Sequence, residues 1–270
     1  MMTVIVGVPR ATRAEPERLL PQTVVLTRRL LIRSVRNPMT LVHALLLPVA
    51  FLLTLKVVFG DSITSITGQD GLYRSVPLVA LVATMSGSTT AVVGINAERL
   101  DGFLGRLWAL PLHRGAGLLS RLAAETIRVL ATTLVILGAG VILGFRFHRG
   151  VAAALLWVSV PVIFGIAFAV LATTVALYWS KAVLVEAMQP VIILGATFCT
   201  GFVPLEQYPD WVQAFVRFQP MSPAVDAMRG LSVGGPVWWP MITTLLWFAG
   251  ILAVCLGPIM VGYRRASTSR

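Results

Sequence analysis

Six long apolar runs set the plan of this chain, at approximately residues 39–59, 75–97, 122–145, 151–178, 187–204 and 240–262. Crossing a hydrocarbon layer roughly 30 Å thick takes about 20 apolar residues in a helix. Lipid offers backbone N–H and C=O groups no partner, and the alternation of a barrel strand is absent, so all six are predicted as membrane-spanning helices. Ahead of the first run, residues 22–36 follow a helical period: at about 100° per residue Arg29, Arg33 and Arg36 share one face and Val24, Leu31 and Val35 the opposite one, with Arg28 as an exception. That pattern predicts an amphipathic helix in the membrane interface, over 22–37, ended by Asn37-Pro38 where the chain turns into the first span.

The connection between the fifth and sixth runs is the long one. Residues 204–237 contain Trp211, Phe215 and Phe218, with Trp238 and Trp239 directly after. A solvated loop would not be so apolar, and two short helices dipping into the outer leaflet, a re-entrant hairpin, would satisfy both its side chains and its backbone. No fixed-period repeat appears. The reading is therefore an all-α integral membrane protein with one membrane domain, 38–265, between cytoplasmic tails at 1–21 and 266–270.

Composition agrees. Hydrophobic residues make up 57% of the 270 and charged residues 12%, about half the charged share of a soluble domain; mean hydropathy is +0.84. The formal charge of +11 could suggest nucleic acid. The basic residues flank apolar spans and do not cluster with exposed aromatics, so they read as orientation signals and nucleic acid is the weaker partner. With both termini on one side, 15 Arg and Lys fall there and 5 on the other, Lys56 and Arg128 lying inside spans. The positive-inside rule then places both termini in the cytoplasm of a multi-pass protein of the plasma membrane.

Candidate chemistry is sparse. Cys199 and Cys255 lie in separate apolar runs and suggest neither disulfide nor thiolate metal site. His43, His113 and His148 fall at different places, and no metal-binding spacing occurs. No phosphate-binding loop is present, so the chain carries no nucleotide, cofactor or metal site, and ATP and Mg would belong to a partner. An intramembrane hydrolase would need a facing Ser and His; Ser88 and His43 are the nearest candidates, at different depths. A secondary transporter would show paired inverted halves, which are not seen.

Three polar groupings remain. The first is an island at 98–114, with Glu98, Arg99, Gly102, Arg106, Leu110, Pro111 and Arg114. It can grip a cytoplasmic subunit through charge-assisted bonds, and it fits equally a solvated loop whose arginines set topology. The second is Arg121, Glu125 and Arg128, one helix face at i, i+4 and i+7. A charge at helix centre costs roughly 2.5–3.5 kcal/mol on insertion scales, so this trio should face protein or a water-filled cavity. The third is the small and hydroxyl face of the second run, including Thr84, Ser88 and Thr89. Close helix packing explains it, as it explains Gly140 and Gly144 in the third run, and lining a substrate path is the functional alternative. Lys56, near the outer end of the first run, is expected to snorkel to the headgroups.

Glu98-Arg99-x-x-Gly102 with Leu110-Pro111-Leu112, six runs and the interfacial helix resemble a type-2 ABC exporter permease. Sharper still are 201–206 (Gly-Phe-Val-Pro-Leu-Glu), Pro209-x-Trp211, 219–222 (Gln-Pro-Met-Ser) and 227–230 (Ala-Met-Arg-Gly), which are similar to that family's outer signature segment. The likeness covers about residues 22–265 and is strongest to the daunorubicin-resistance type, in particular its mycobacterial branch associated with export of phthiocerol dimycocerosate lipids. The resemblance implies a half-transporter: two permeases, identical or related, with a dimer of ABC ATPase subunits, moving an amphipathic lipid or drug-like molecule outward. It implies that 98–114 is the coupling helix against the ATPase, and that Pro204, Trp211, Pro220 and Arg229 belong to an outer hairpin. Gly105 stands where many relatives carry an acid, and Leu110 where many have Thr or Ser.

Overall fold

The computed structural model describes residues 19–60, 64, 71–100, 114–178 and 183–268. Among them there is helix and turn but no strand. Helix α1 is Leu19–Val35; α2 runs without a break through Pro38–Leu41, a π turn Val42–Leu46, Leu47–Thr54 and a second π turn Leu55–Phe59; α3 is Leu72–Leu100, α4 Arg114–Ile142 and α5 Gly150–Tyr178. Then come α6 (Val183–Thr197), a short turn Leu205–Gln207, α7 (Asp210–Phe218), α8 (Met221–Val233) and α9 (Trp238–Thr268).

The break predicted at Asn37-Pro38 is present and has a local cause. The Asn37 carboxamide oxygen accepts from Met39 N at 3.1 Å, and Pro38 occupies the first helical position, where a missing N–H costs nothing. Helix α1 carries the basic face, and Val24, Val25 and Val35 are exposed. It is docked as well as amphipathic: Thr27, its one buried residue, hydrogen-bonds Ser120 O of α4 at 3.3 Å.

Among the described residues four helices qualify by length and apolarity as membrane spans, within Pro38–Val58, Ala116–Ile142, Gly150–Val175 and Trp238–Cys255. These fall on the first, third, fourth and sixth expected runs. Helix α3, with 29 residues, covers the second expected run, its side chains from residue 90 on lying outside the described set. Val76, Leu78, Val79 and Leu81 are fully buried, and so are Ser75, Thr84, Ser88 and Thr89, so α3 is a central post whose neighbours are protein. Helix α6 is shorter, at 15 residues, and the chain leaves helix by Phe198, inside the fifth expected run.

Close packing around α3 relies on absent side chains. A Cβ at Gly165 of α5 would lie 2.5 Å from Thr84 Cγ2 and 2.9 Å from Val129 Cγ2, so α5 beds between α3 and α4 at a distance only glycine permits. At Gly140 a Cβ would meet Val76 Cγ2 at 3.0 Å. Gly144, grouped with Gly140 in the sequence as a packing residue, does something else. It lies beyond α4 with φ +112°, where Gly144 N bonds Val141 O at 3.2 Å and Phe145 N bonds Gly140 O at 2.8 Å, a Schellman ending. That turn drives Phe145 into the core beside Tyr73 (5.2 Å), Phe147 (5.3 Å) and Trp157 (6.0 Å).

Lys56 also departs from expectation. Its ammonium donates to Leu143 O, at the open carbonyl end of α4, instead of reaching for headgroups. The 204–237 connection does hold two short helices, α7 and α8. Helix α8 is buried along most of its length, whereas α7 turns Trp211, Phe215 and Phe218 outward and keeps Val212 and Val216 inside.

Candidate functional site

Two polar centres lie along α3. At its middle, Glu125 of α4 is 4% exposed, a depth at which a lone carboxylate would be prohibitively costly. It is fully engaged. Arg128, one turn on, pairs with it; Ser88 Oγ of α3 donates to Oε1 at 3.1 Å; and Arg128 Nη2 also donates to Gly87 O at 2.9 Å. The pair is thus an internal clamp from α4 onto the α3 backbone. Arg128 Nε is buried with no hydrogen-bond partner among the described residues. Arg121 of the expected trio is half-buried, one turn before Glu125 on the same helix. Thr84, Ser88 and Thr89 are all buried at the contact of α3 with its neighbours, and Thr84 and Thr89 bond carbonyls of their own helix.

The second centre was not anticipated. Arg74, in the first turn of α3, is 7% exposed, and its Nη1 donates to Thr200 O at 2.8 Å, in the turn after α6. Thr200 is held in turn by α8: Thr200 Oγ1 donates to Ser222 O at 3.3 Å and Thr200 N to Ser222 Oγ at 3.4 Å. Gln219 donates to Ser222 Oγ at 3.1 Å and to Phe198 O, and Tyr208 OH lies 3.1 Å from both Thr197 O and Cys199 O. Asp226, Arg229 and Glu206 surround Arg74 electrostatically. Burial pushes the Asp226 carboxyl above its ordinary range, against the opposing pull of Arg229, Thr200 and Arg74. The available signal was slight: an arginine at the head of an apolar run and one acid inside an apolar helix, 152 positions apart by their numbers, 226 minus 74.

Of the outer residues singled out in the sequence, Arg229 belongs to this centre, and Pro220 begins α8. Pro204 precedes the Leu205–Gln207 turn, and Trp211 stands 83% exposed on α7, away from the centre. Of the 98–114 island, α3 carries Glu98 and Arg99 and α4 starts at Arg114, their side chains lying outside the described set; Gly102, Arg106, Leu110 and Pro111 are outside the described residues altogether. The Ser88 and His43 pairing finds no support at Ser88, whose hydroxyl is committed to Glu125; the His43 side chain is outside the described set. Among the described residues no group of three or more His, Cys, Asp or Glu could hold a metal.

Both centres join helices through polar bonds. Residues 21–233 match the family model described as ABC-2 type transporter. The chain is 51% identical over 247 residues, 92% of its length and 90% of the relative's, to a Mycobacterium tuberculosis protein named probable doxorubicin resistance ABC transporter permease protein DrrC. It is 28% identical over 231 residues, 84% and 80% of the two chains, to the daunorubicin resistance ABC transporter permease protein DrrB1 of Streptomyces coeruleorubidus. A putative transport permease of Cyanophora paradoxa, ycf38, is 26% identical over 214 residues. An all-helical body, apolar helices long enough to span a bilayer and a match across most of its length together place this chain in the ABC-2 type transporter family, as a permease of the daunorubicin-resistance type.

Proposed function

We propose that this chain is the membrane half of an ATP-driven exporter that moves an amphipathic lipid or drug-like molecule outward, with a separate ABC ATPase as its motor. The observation that carries this reading is the 51% identity over nine-tenths of both chains to a permease named for doxorubicin resistance. Family membership brings an ABC ATPase and a paired permease with it. The lack of a phosphate-binding loop in the sequence fits a chain that takes its energy from elsewhere.

Within this reading six spans cross the plasma membrane with both termini inside, α3 and α6 completing the four apolar helices. The 98–114 segment, with Glu98, Arg99, Gly102, Arg106, Leu110, Pro111 and Arg114, meets the ATPase. Thr84, Ser88 and Thr89 face the substrate path when the helices part; what supports this is their polarity at bilayer depth beside a buried ion pair, where a purely structural helix would be apolar. The 204–237 segment is a re-entrant outer hairpin. In support, Phe218 O accepts from Trp247 Nε1 at 3.0 Å, and Trp247 stands nine positions beyond Trp238, so α7 ends about 13 Å along α9 from its first residue.

The test is to co-express the chain with its ATPase, purify the complex and identify subunits and bound lipid by mass spectrometry. ATP-dependent uptake into inverted vesicles is then measured with doxorubicin and with a fluorescent phospholipid. Uptake that needs both subunits and ATP supports the exporter. A chain that purifies alone and moves neither probe with any ATPase refutes it.

A further inference from the structure

Arg74 sits where three parts of the molecule converge: the head of α3, the turn that ends α6, and α8 of the hairpin. The links are a few polar bonds. Arg74 reaches Thr200 O at 2.8 Å, and Thr200 meets Ser222 twice, through Oγ1 to Ser222 O at 3.3 Å and through N to Ser222 Oγ at 3.4 Å. The same turn presses on α3 directly, since a Cβ at Gly201 would lie 3.1 Å from Leu78 Cβ. Thr200, Ser222 and Arg74 are each at least 93% buried, and Arg74 Nε has no hydrogen-bond partner among the described residues. Polar groups shut away from water and joined by few bonds are a costly way to glue helices permanently, where apolar side chains would serve as well. They suit a joint that opens, because each of its groups can be hydrated once it parts.

We propose that the Arg74, Thr200 and Ser222 joint is an outer latch: it holds the α7–α8 hairpin and the α6 turn against α3 while the exit is shut, and parts during each transport cycle. The proposal rests on the exporter reading. It adds that opening occurs within one subunit, between α3 and the hairpin, and not only between paired permeases. Neighbouring charges fit the role. Asp226 and Glu206 attract Arg74 while Arg229 repels it, so charges of both signs act on the joint.

The test ties the joint shut. In a background with Cys199→Ser and Cys255→Ala, the pair Leu78→Cys and Gly201→Cys sets two thiols where Cβ atoms are 3.1 Å apart, a few tenths of an ångström from disulfide spacing. In the complex with its ATPase, export is read with whichever of doxorubicin and a fluorescent phospholipid the unaltered complex moves. Oxidation should lower export by about tenfold or more, and reduction should restore it, as for a gate whose opening every cycle requires. Equal export in both redox states would overturn the latch and leave the exporter standing. A complex that exports neither probe in either state, and whose parent also exports neither, overturns the exporter and the latch with it. A second measurement covers a pair that fails to fold. With Cys255→Ala alone, Cys199 is the one thiol and is fully buried under the joint. A membrane-impermeant maleimide added outside should label it faster during ATP turnover than without nucleotide, and equal rates would overturn the latch.

Discussion

Arg128 of α4 donates to the carbonyl of Gly87 on α3 at 2.9 Å while holding Glu125 on its own helix. An arginine that reaches a neighbouring helix's backbone at bilayer depth makes two elements move as one. Glu125 is buried and Arg128 only partly exposed, so the carboxylate depends on its cation.

Breaking it from one side should therefore be worse than replacing it whole. Arg128→Met leaves Glu125 buried without its cation and is expected to cost about 3–5 kcal/mol. Glu125→Gln with Arg128→Met together should recover most of that loss. Thermal unfolding of the three variants in nanodiscs checks the order; a double variant no more stable than Arg128→Met would show the pair to be independent.

The α3–α5 contact gives a steric counterpart. Gly165→Ala places a methyl 2.5 Å from Thr84 Cγ2 and should destabilise by about 1–3 kcal/mol through overpacking. Thr84→Ser removes that methyl yet keeps a hydroxyl for Ala80 O. Combined with Gly165→Ala it should restore part of the loss, and only part, because Val129 Cγ2 still crowds the site at 2.9 Å. Unfolding midpoints of the single and double variants measure the rescue.

Asp226 gives the protein a pH dependence of definite sign. Its carboxyl is held by burial above the ordinary value of 3.8, so the folded chain keeps this proton to higher pH than the unfolded chain does. The stability it contributes is complete below 3.8 and is lost as pH rises through the higher folded value. Asp226→Asn is neutral throughout and lacks this loss. Across that window the unfolding midpoint of the unaltered protein should fall relative to that of Asp226→Asn; parallel curves would contradict the assignment.

Much of this architecture was legible because lipid leaves the backbone so few choices. Long apolar runs must be helices, and Asn37-Pro38 must break one, since both follow from local chemistry. What stayed hidden depends on contacts far apart in the chain. Thr84, Ser88 and Thr89 read as a packing or substrate-path face of the second run, and the groups they pack against, in α4 and α5, are written far from them in the chain. Arg74 read as an orientation charge, because nothing near it in sequence says that the Thr200 carbonyl will accept its hydrogen bond. Lys56 read as a snorkelling side chain, because the carbonyl it finds at Leu143 is exposed only by the way α4 ends. Local rules place helices; which polar groups meet is decided by the packing.

The most demanding prediction concerns the end of α3 and the segment that follows it, which carry Glu98 and Arg106. If the ATPase pushes there, the push arrives at the inner ends of α3 and α4, the two helices that Arg128 clamps together through Gly87 and Glu125. A rigid pair transmits displacement along its length, whereas a loose one absorbs it. Glu98→Ala with Arg106→Ala should then leave the unfolding midpoint unchanged and lower substrate-stimulated transport, because only the contact with the motor is lost. Glu125→Gln with Arg128→Met should lower transport too, but with ATPase binding intact, because there the contact survives and the transmission fails. Copurification with the ATPase separates the two cases: the first variant should come away from its partner more readily, and the second should hold it as the unaltered chain does. Unchanged transport in the first variant would remove the 98–114 segment from the coupling role, whatever the clamp does.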